Sequence, residues 1–166
     1  MIFKIKKHNY SLYSTLLYLS RNLFFYNKIK LKDTFETRVY LIFFHFAIIL
    51  KIFKNKKINF SQKSYDSLFH CIENDLRELG FGDVTVNKKM KELNKIFYDI
   101  LLKISSSDKD FVINEKLVLK YFEYLKKNSN SDKYDLFDQY FTKFYHFCFE
   151  LSPKTMIKDA LKFEII

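Results

Sequence analysis

Glycine occurs twice and proline once among these 166 residues, and tryptophan not at all. So few turn formers exclude an all-β fold, which needs many tight turns. Two glycines also exclude most phosphate-cradling loops, and Gly80-Phe81-Gly82 ends a helical pattern instead of following a strand and opening a helix. Cysteine is scarce. Cys71 and Cys148 form no C-x-x-C pair, so a disulfide scaffold is excluded and reduced thiols are expected. His8, His45, His70 and His146 make no H-E-x-x-H motif or Cys/His cluster, and no G-x-S-x-G elbow exists. Catalytic residues, a metal site and a cofactor are therefore not expected. The longest apolar run, residues 39–50, is short of the roughly 20 residues that span a bilayer. The first residues lack an apolar stretch with a small-residue cleavage site, so no secretory signal is expected.

What the chain has is apolar mass. Hydrophobic residues make up 48%, with 20 Phe and 12 Tyr, enough for a sizeable core. Apolar residues recur at helical spacing. A first helix is expected over residues 10–23, with Leu12, Leu16, Leu19 and Leu23 on one face. A short aromatic segment, Phe24-Phe25-Tyr26, and a basic connector follow. Asp33-x-x-Glu36 has capping-box spacing and is expected to open a second helix reaching Phe53, buried on most sides. His45 in that helix reads as a hydrogen-bonded core residue. Residues 61–79 are the cleanest amphipathic helix, with Tyr65, Leu68, Phe69, Ile72, Leu76 and Leu79 in one stripe and Glu73 able to pair with Arg77. Gly80 suits the left-handed position that ends a helix. Asp83 or Thr85 is expected to cap the next helix, which runs to about Ile104 and carries Val86, Met90, Leu93, Phe97 and Ile100 inward. A polar loop (105–110), a helix (114–127) and a helix (132–151) come next. Ser152-Pro153 is then expected to start a last helix, with Ser as cap and Pro at the first helical position. The fold class is all-α: one domain over residues 1–166, a bundle of six to seven helices with a central apolar helix and an αα-hairpin at residues 61–104.

Charge is lopsided. Residues 1–60 hold ten Lys and two Arg against only Asp33 and Glu36. The remaining residues balance, so the whole formal +10 belongs to the first 60. A codon bias toward Lys acts evenly along a chain, so this asymmetry points to a basic face for anionic lipid, ribosomal RNA or an acidic protein. The competing reading is a well-solvated face. Aromatics near basic residues suit single-stranded nucleic acid as well, but here they fall at core spacing.

The most informative segment is Asp75-Leu76-Arg77-Glu78-Leu79-Gly80-Phe81-Gly82-Asp83. Four charges and both glycines lie in nine residues. With Val86, Lys88 and Met90 it resembles the signature of the ubiquinol–cytochrome c chaperone family. Ser20-Arg21 with Phe25-Tyr26 is similar to that family's N-terminal block, and Asp33-Thr34-Phe35-Glu36-Thr37-Arg38 ahead of His45 to its second. Phe97-Tyr98 fits as well. The likeness covers roughly residues 10–104. Thr37 stands where the family usually has Gly, and Asp99-Ile100 where it has Gly-Arg.

The resemblance implies a non-enzymatic helical chaperone for assembly of complex III that binds newly made cytochrome b, with the ribosome as a further partner. The signature and client-binding residues it implies are Arg21, Tyr26, Asp33, Arg38, Asp75, Arg77, Glu78, Gly80, Gly82, Asp83 and Lys88. Its location is expected at the cytoplasmic face of a bacterial inner membrane, or the matrix side in mitochondria. An anionic membrane surface is the expected partner of the basic N-terminal 60 residues. Two other readings stand beside it: a basic ribosome- or RNA-binding adaptor, and a helical lipid- or quinone-binding protein.

Overall fold

The computed structural model describes residues 11–106, 110–126 and 132–165. Ser11 opens α1 (Leu12–Ser20) by accepting from the Ser14 N–H at 3.2 Å. Tyr10, expected in this helix, lies outside the described residues. α1 also ends earlier than its apolar spacing predicts. The Ser20 hydroxyl turns back to the Leu16 carbonyl at 2.7 Å, and a π-helical turn follows at Phe24–Lys28. Leu23, expected inward, is left 67% exposed.

α2 (Phe35–Asn55) is the axis of the bundle and packs against α1, α4 and α6. Its cap is Thr34, not Asp33. Thr34 has the extended backbone of a capping residue, and its hydroxyl accepts from the Thr37 N–H at 3.2 Å. Asp33, one residue upstream, pairs with Arg38 instead. Every residue from 41 to 49 is buried. On one side Phe43 and Phe46 meet Phe97 with ring centroids 5.2 Å away. On the other, Phe44 meets Phe122 and Phe141 at 5.6 Å. Each buried Phe stabilises by about 1.5–3 kcal/mol, and each ring pair adds about 0.5–1.5. His45 behaves as a core residue. Its Nδ1 lies 2.6 Å from the Leu41 carbonyl and its Nε2 2.8 Å from the Tyr140 hydroxyl.

Ser61 caps α3 (Gln62–Glu78) through the Ser64 N–H. α3 and α4 (Asp83–Lys103) form the expected hairpin. Its turn is a Schellman motif: the Gly80 N–H donates to Arg77 O at 3.0 Å and the Phe81 N–H to Leu76 O at 3.4 Å. Gly80 has φ +98°, where a side chain is strained. The cap of α4 is Gly82 in an extended conformation, so Asp83 and Thr85 both lie inside the helix. The turn also lifts Leu79 out of the apolar stripe, to 57% exposure.

Beyond α4 the chain departs most from its periodicity. The expected loop holds a short antiparallel pair, β1 (Ser105–Ser106) with β2 (Phe111–Val112). α5 (Glu115–Tyr121), capped by Asn114, stops well before residue 127. Phe122 leaves helical geometry and a 3₁₀ turn, Glu123–Leu125, follows. That break lets Phe122 and Leu125 both be buried, Phe122 between Phe44 and Phe137. α6 (Lys133–Phe149) buries Phe137, Tyr140, Phe141, Phe144 and Cys148. Pro153 does not start a helix. Ser152–Thr155 is a turn closed by the Thr155 N–H on Ser152 O at 3.1 Å, and α7 (Met156–Asp159) begins behind Thr155. The Thr15 hydroxyl on the Ile157 carbonyl, 3.0 Å, ties α7 to α1. Among the described residues the fold is a single-domain bundle of seven α-helices, and none of them is long and apolar enough to cross a membrane.

Candidate functional site

Three separate sequence blocks meet where α1 and α3 end and α2 begins. Tyr13, Leu17 and Arg21 lie four residues apart along one side of α1 and its C-terminal cap. They face Phe35, Arg38, Val39 and Ile42 of α2, and Asp75, Glu78 and Leu79 of α3 and its cap. Together these residues line a groove of about 300 Å³. Its floor is apolar and its rim charged: Arg21 and Arg38 against Asp75 and Glu78.

The rim charges differ in their freedom. The Tyr13 hydroxyl donates to Asp75, which fastens α1 to α3. Burial, reinforced by that carboxylate, pushes the Tyr13 hydroxyl well above its ordinary range. Burial and then Asp75 raise the Cys71 thiol too. Arg38 is held by Asp33 at 3.5 Å and by the Thr34 carbonyl at 3.4 Å. Arg21 and Glu78 have no ion-pair partner among the described residues. Tyr26 lies nearby, its hydroxyl donating to the Ser20 carbonyl at 2.9 Å; burial pushes it up to about 12.

The other signature residues lie elsewhere. Consecutive helical positions point about 100° apart, so Asp75 and Glu78 share the groove while Arg77 turns away. Its Nη1 donates to Asp83 across the turn, and its Nη2 to Glu73 at 3.3 Å. Arg77 and Asp83 therefore clasp the hairpin. Gly80 makes its turn, Gly82 caps α4, and Lys88 is exposed on α4. Phe81 is covered by Lys89, 4.7 Å above its ring. Sequence reasoning missed the groove's lining (Tyr13, Leu17, Phe35, Val39 and Ile42). The i, i+4, i+8 spacing of Tyr13, Leu17 and Arg21 was the available signal.

Arg21 borders a second, larger groove of about 650 Å³, between the Phe24–Lys28 turn and Leu161–Ile165. Among the described residues no three His, Cys, Asp or Glu side chains gather as metal ligands. The described lysines on either side of α2 fall into two groups. Lys28, Lys30 and Lys32 precede α2 and Lys54, Lys56 and Lys57 close it, about 30 Å apart at 1.5 Å per residue. Lys56 is engaged in capping the end of α6, donating to the Phe149 and Leu151 carbonyls.

These features define an all-helical bundle that gathers charges from distant segments around an apolar groove. The ubiquinol-cytochrome C chaperone family model matches residues 27–120, more than half of the chain, and the chain belongs to that family. Its role is in the assembly of the ubiquinol–cytochrome c reductase, complex III. The match leaves out Arg21 and Tyr26 and runs past residue 104 through the β-pair into α5. No curated protein and no solved structure matches the chain. Asp99, one of the departures from the family pattern, has its own use here. Desolvation opposes its charge, but hydrogen bonds from Lys103, Tyr121 and Lys120 hold it well below the usual carboxylate range and tie α4 to α5.

Proposed function

We propose that the chain is a non-enzymatic assembly chaperone that holds newly made cytochrome b in the groove between α1, α2 and α3, at the cytoplasmic face of a bacterial inner membrane. One observation carries this reading: Arg21, Arg38, Asp75 and Glu78 come from three blocks of sequence and surround one apolar floor, and among the described residues Arg21 and Glu78 have no ion-pair partner. Both side chains are exposed, so they are open to a second molecule. An apolar floor with cations on one wall and carboxylates on the other suits a client segment whose apolar residues are flanked by polar ones of both signs. The 650 Å³ groove beyond Arg21 lengthens the surface such a segment can follow.

The test is genetic. A strain lacking the chain loses complex III activity and its b-type haem absorbance. The wild-type gene restores both, and the charge reversal Arg21→Glu with Arg38→Glu does not. Full respiration in the deletion strain contradicts the assembly role, and full rescue by the reversal contradicts the groove.

A further inference from the structure

α4 turns one row of side chains to solvent along its whole length, and none of them lines the groove. Val84, Lys88, Lys91, Lys95, Tyr98 and Leu102 are all exposed, Val84 at 85% and Leu102 at 76%. They alternate four and three residues apart, the spacing with which one helix forms a seam against another. The opposite face of α4 belongs to the core through Val86, Leu93, Phe97 and Ile100. The row contains no acid. Among the described residues Lys88, Lys91 and Lys95 have no ion-pair partner, whereas Lys103 on the same helix takes Asp99 at 2.6 Å. Glu92, four residues after Lys88 and three before Lys95, pairs with neither; its charge acts on the Tyr40 hydroxyl. Three cations with no ion-pair partner among the described residues thus lie within about 11 Å of helix, with large apolar side chains at both ends.

This order of residues selects the partner. A helix that lies in a membrane interface puts apolar residues at the centre of its buried face and lysines on the flanks; here lysines hold the centre. A nucleic acid would use the lysines and leave Val84 and Leu102 idle. A second copy docked through the same face would set lysine against lysine. We infer that the outward face of α4 is a docking seam for a helix of another protein, one carrying Asp or Glu at three consecutive seam positions between apolar ends. Lysines meet carboxylates at the centre, and Val84, Tyr98 and Leu102 meet apolar side chains at the ends. The seam is separate from the client groove, so neither assignment depends on the other.

The experiment uses the full chain and a fluorescent synthetic helix of α4's length, with Leu at the end seam positions and Glu at the three central ones. A second peptide has Lys in place of Glu. Anisotropy titrations at low salt should favour the Glu peptide by about tenfold or more. The variant Lys88→Glu/Lys91→Glu/Lys95→Glu, with wild-type circular dichroism, should invert that preference. Leu102→Ser should weaken Glu-peptide binding several-fold. No binding of the Glu peptide, no charge preference, or a preference that survives the triple reversal overturns the seam. So does tighter lysine-dependent binding to poly(U) RNA or to anionic vesicles that ignores Leu102→Ser.

Discussion

The two sides of α2 treat polar groups in opposite ways. Toward α6, His45 is enclosed by Phe25, Phe141 and Phe144, and both its ring nitrogens are used, one on the Leu41 carbonyl and one on the Tyr140 hydroxyl. Burial pushes its pKa down to about 3 and raises that of Tyr140, so the pair is neutral and serves only to join two helices. Toward α1 and α3, Arg21 and Glu78 line a groove, and neither has an ion-pair partner among the described residues. Satisfied and buried polar groups specify a fold; unsatisfied and accessible ones at an apolar floor are available for another molecule.

That contrast breaks first at the core. His45→Ala leaves a cavity and an orphaned Tyr140 hydroxyl, and should cost about 3–5 kcal/mol in urea denaturation. A result below 1 kcal/mol would show that the tether is dispensable. The same residue gives a pH signature. Below pH 6.5 the unfolded chain takes up a proton at His45, while the folded chain resists until about pH 3. The unfolded state therefore binds more protons in that window, and stability falls as pH falls. Between pH 6.5 and 5 the loss should be about 1.5 kcal/mol, and a His45→Gln variant should show a correspondingly flatter profile. At the hairpin, Gly80→Ala should cost about 1 kcal/mol or more because of its positive φ. Gly82→Ser, at a cap with ordinary φ and open space around it, should stay within about 0.5 kcal/mol of wild type. The smallest stability effect belongs to the groove. Arg21→Ala with Glu78→Ala removes no ion pair among the described residues and should shift stability by less than about 0.5 kcal/mol; a larger loss would make both residues structural.

Helix faces were legible because 3.6-residue periodicity acts locally: Leu16, Phe69, Ile72, Phe97 and Phe144 all point where their spacing says. Helix ends were not. Asp33 and Thr34 both make good caps, and only the backbone break decides between them. Asp83 lost its cap to Gly82 for the same reason. The shortening of α5 came from tertiary burial of Phe122 and Leu125, which no local pattern reveals. The groove was half legible. The signature marked Arg21, Arg38, Asp75 and Glu78 without saying that they converge, because convergence depends on how α1, α2 and α3 cross. The same charge count that suggested one basic N-terminal face could not show that a 21-residue helix holds the lysines apart.

The central claim is that the unpaired charges of the groove hold the client. Its most direct test is recovery of cytochrome b with the affinity-tagged chain, comparing wild type, Arg21→Ala/Glu78→Ala and the hairpin variant Arg77→Ala, all folded by circular dichroism. Recovery should fall about tenfold or more for the groove variant and stay at the wild-type level for Arg77→Ala. Undiminished recovery with Arg21→Ala/Glu78→Ala would contradict the assignment.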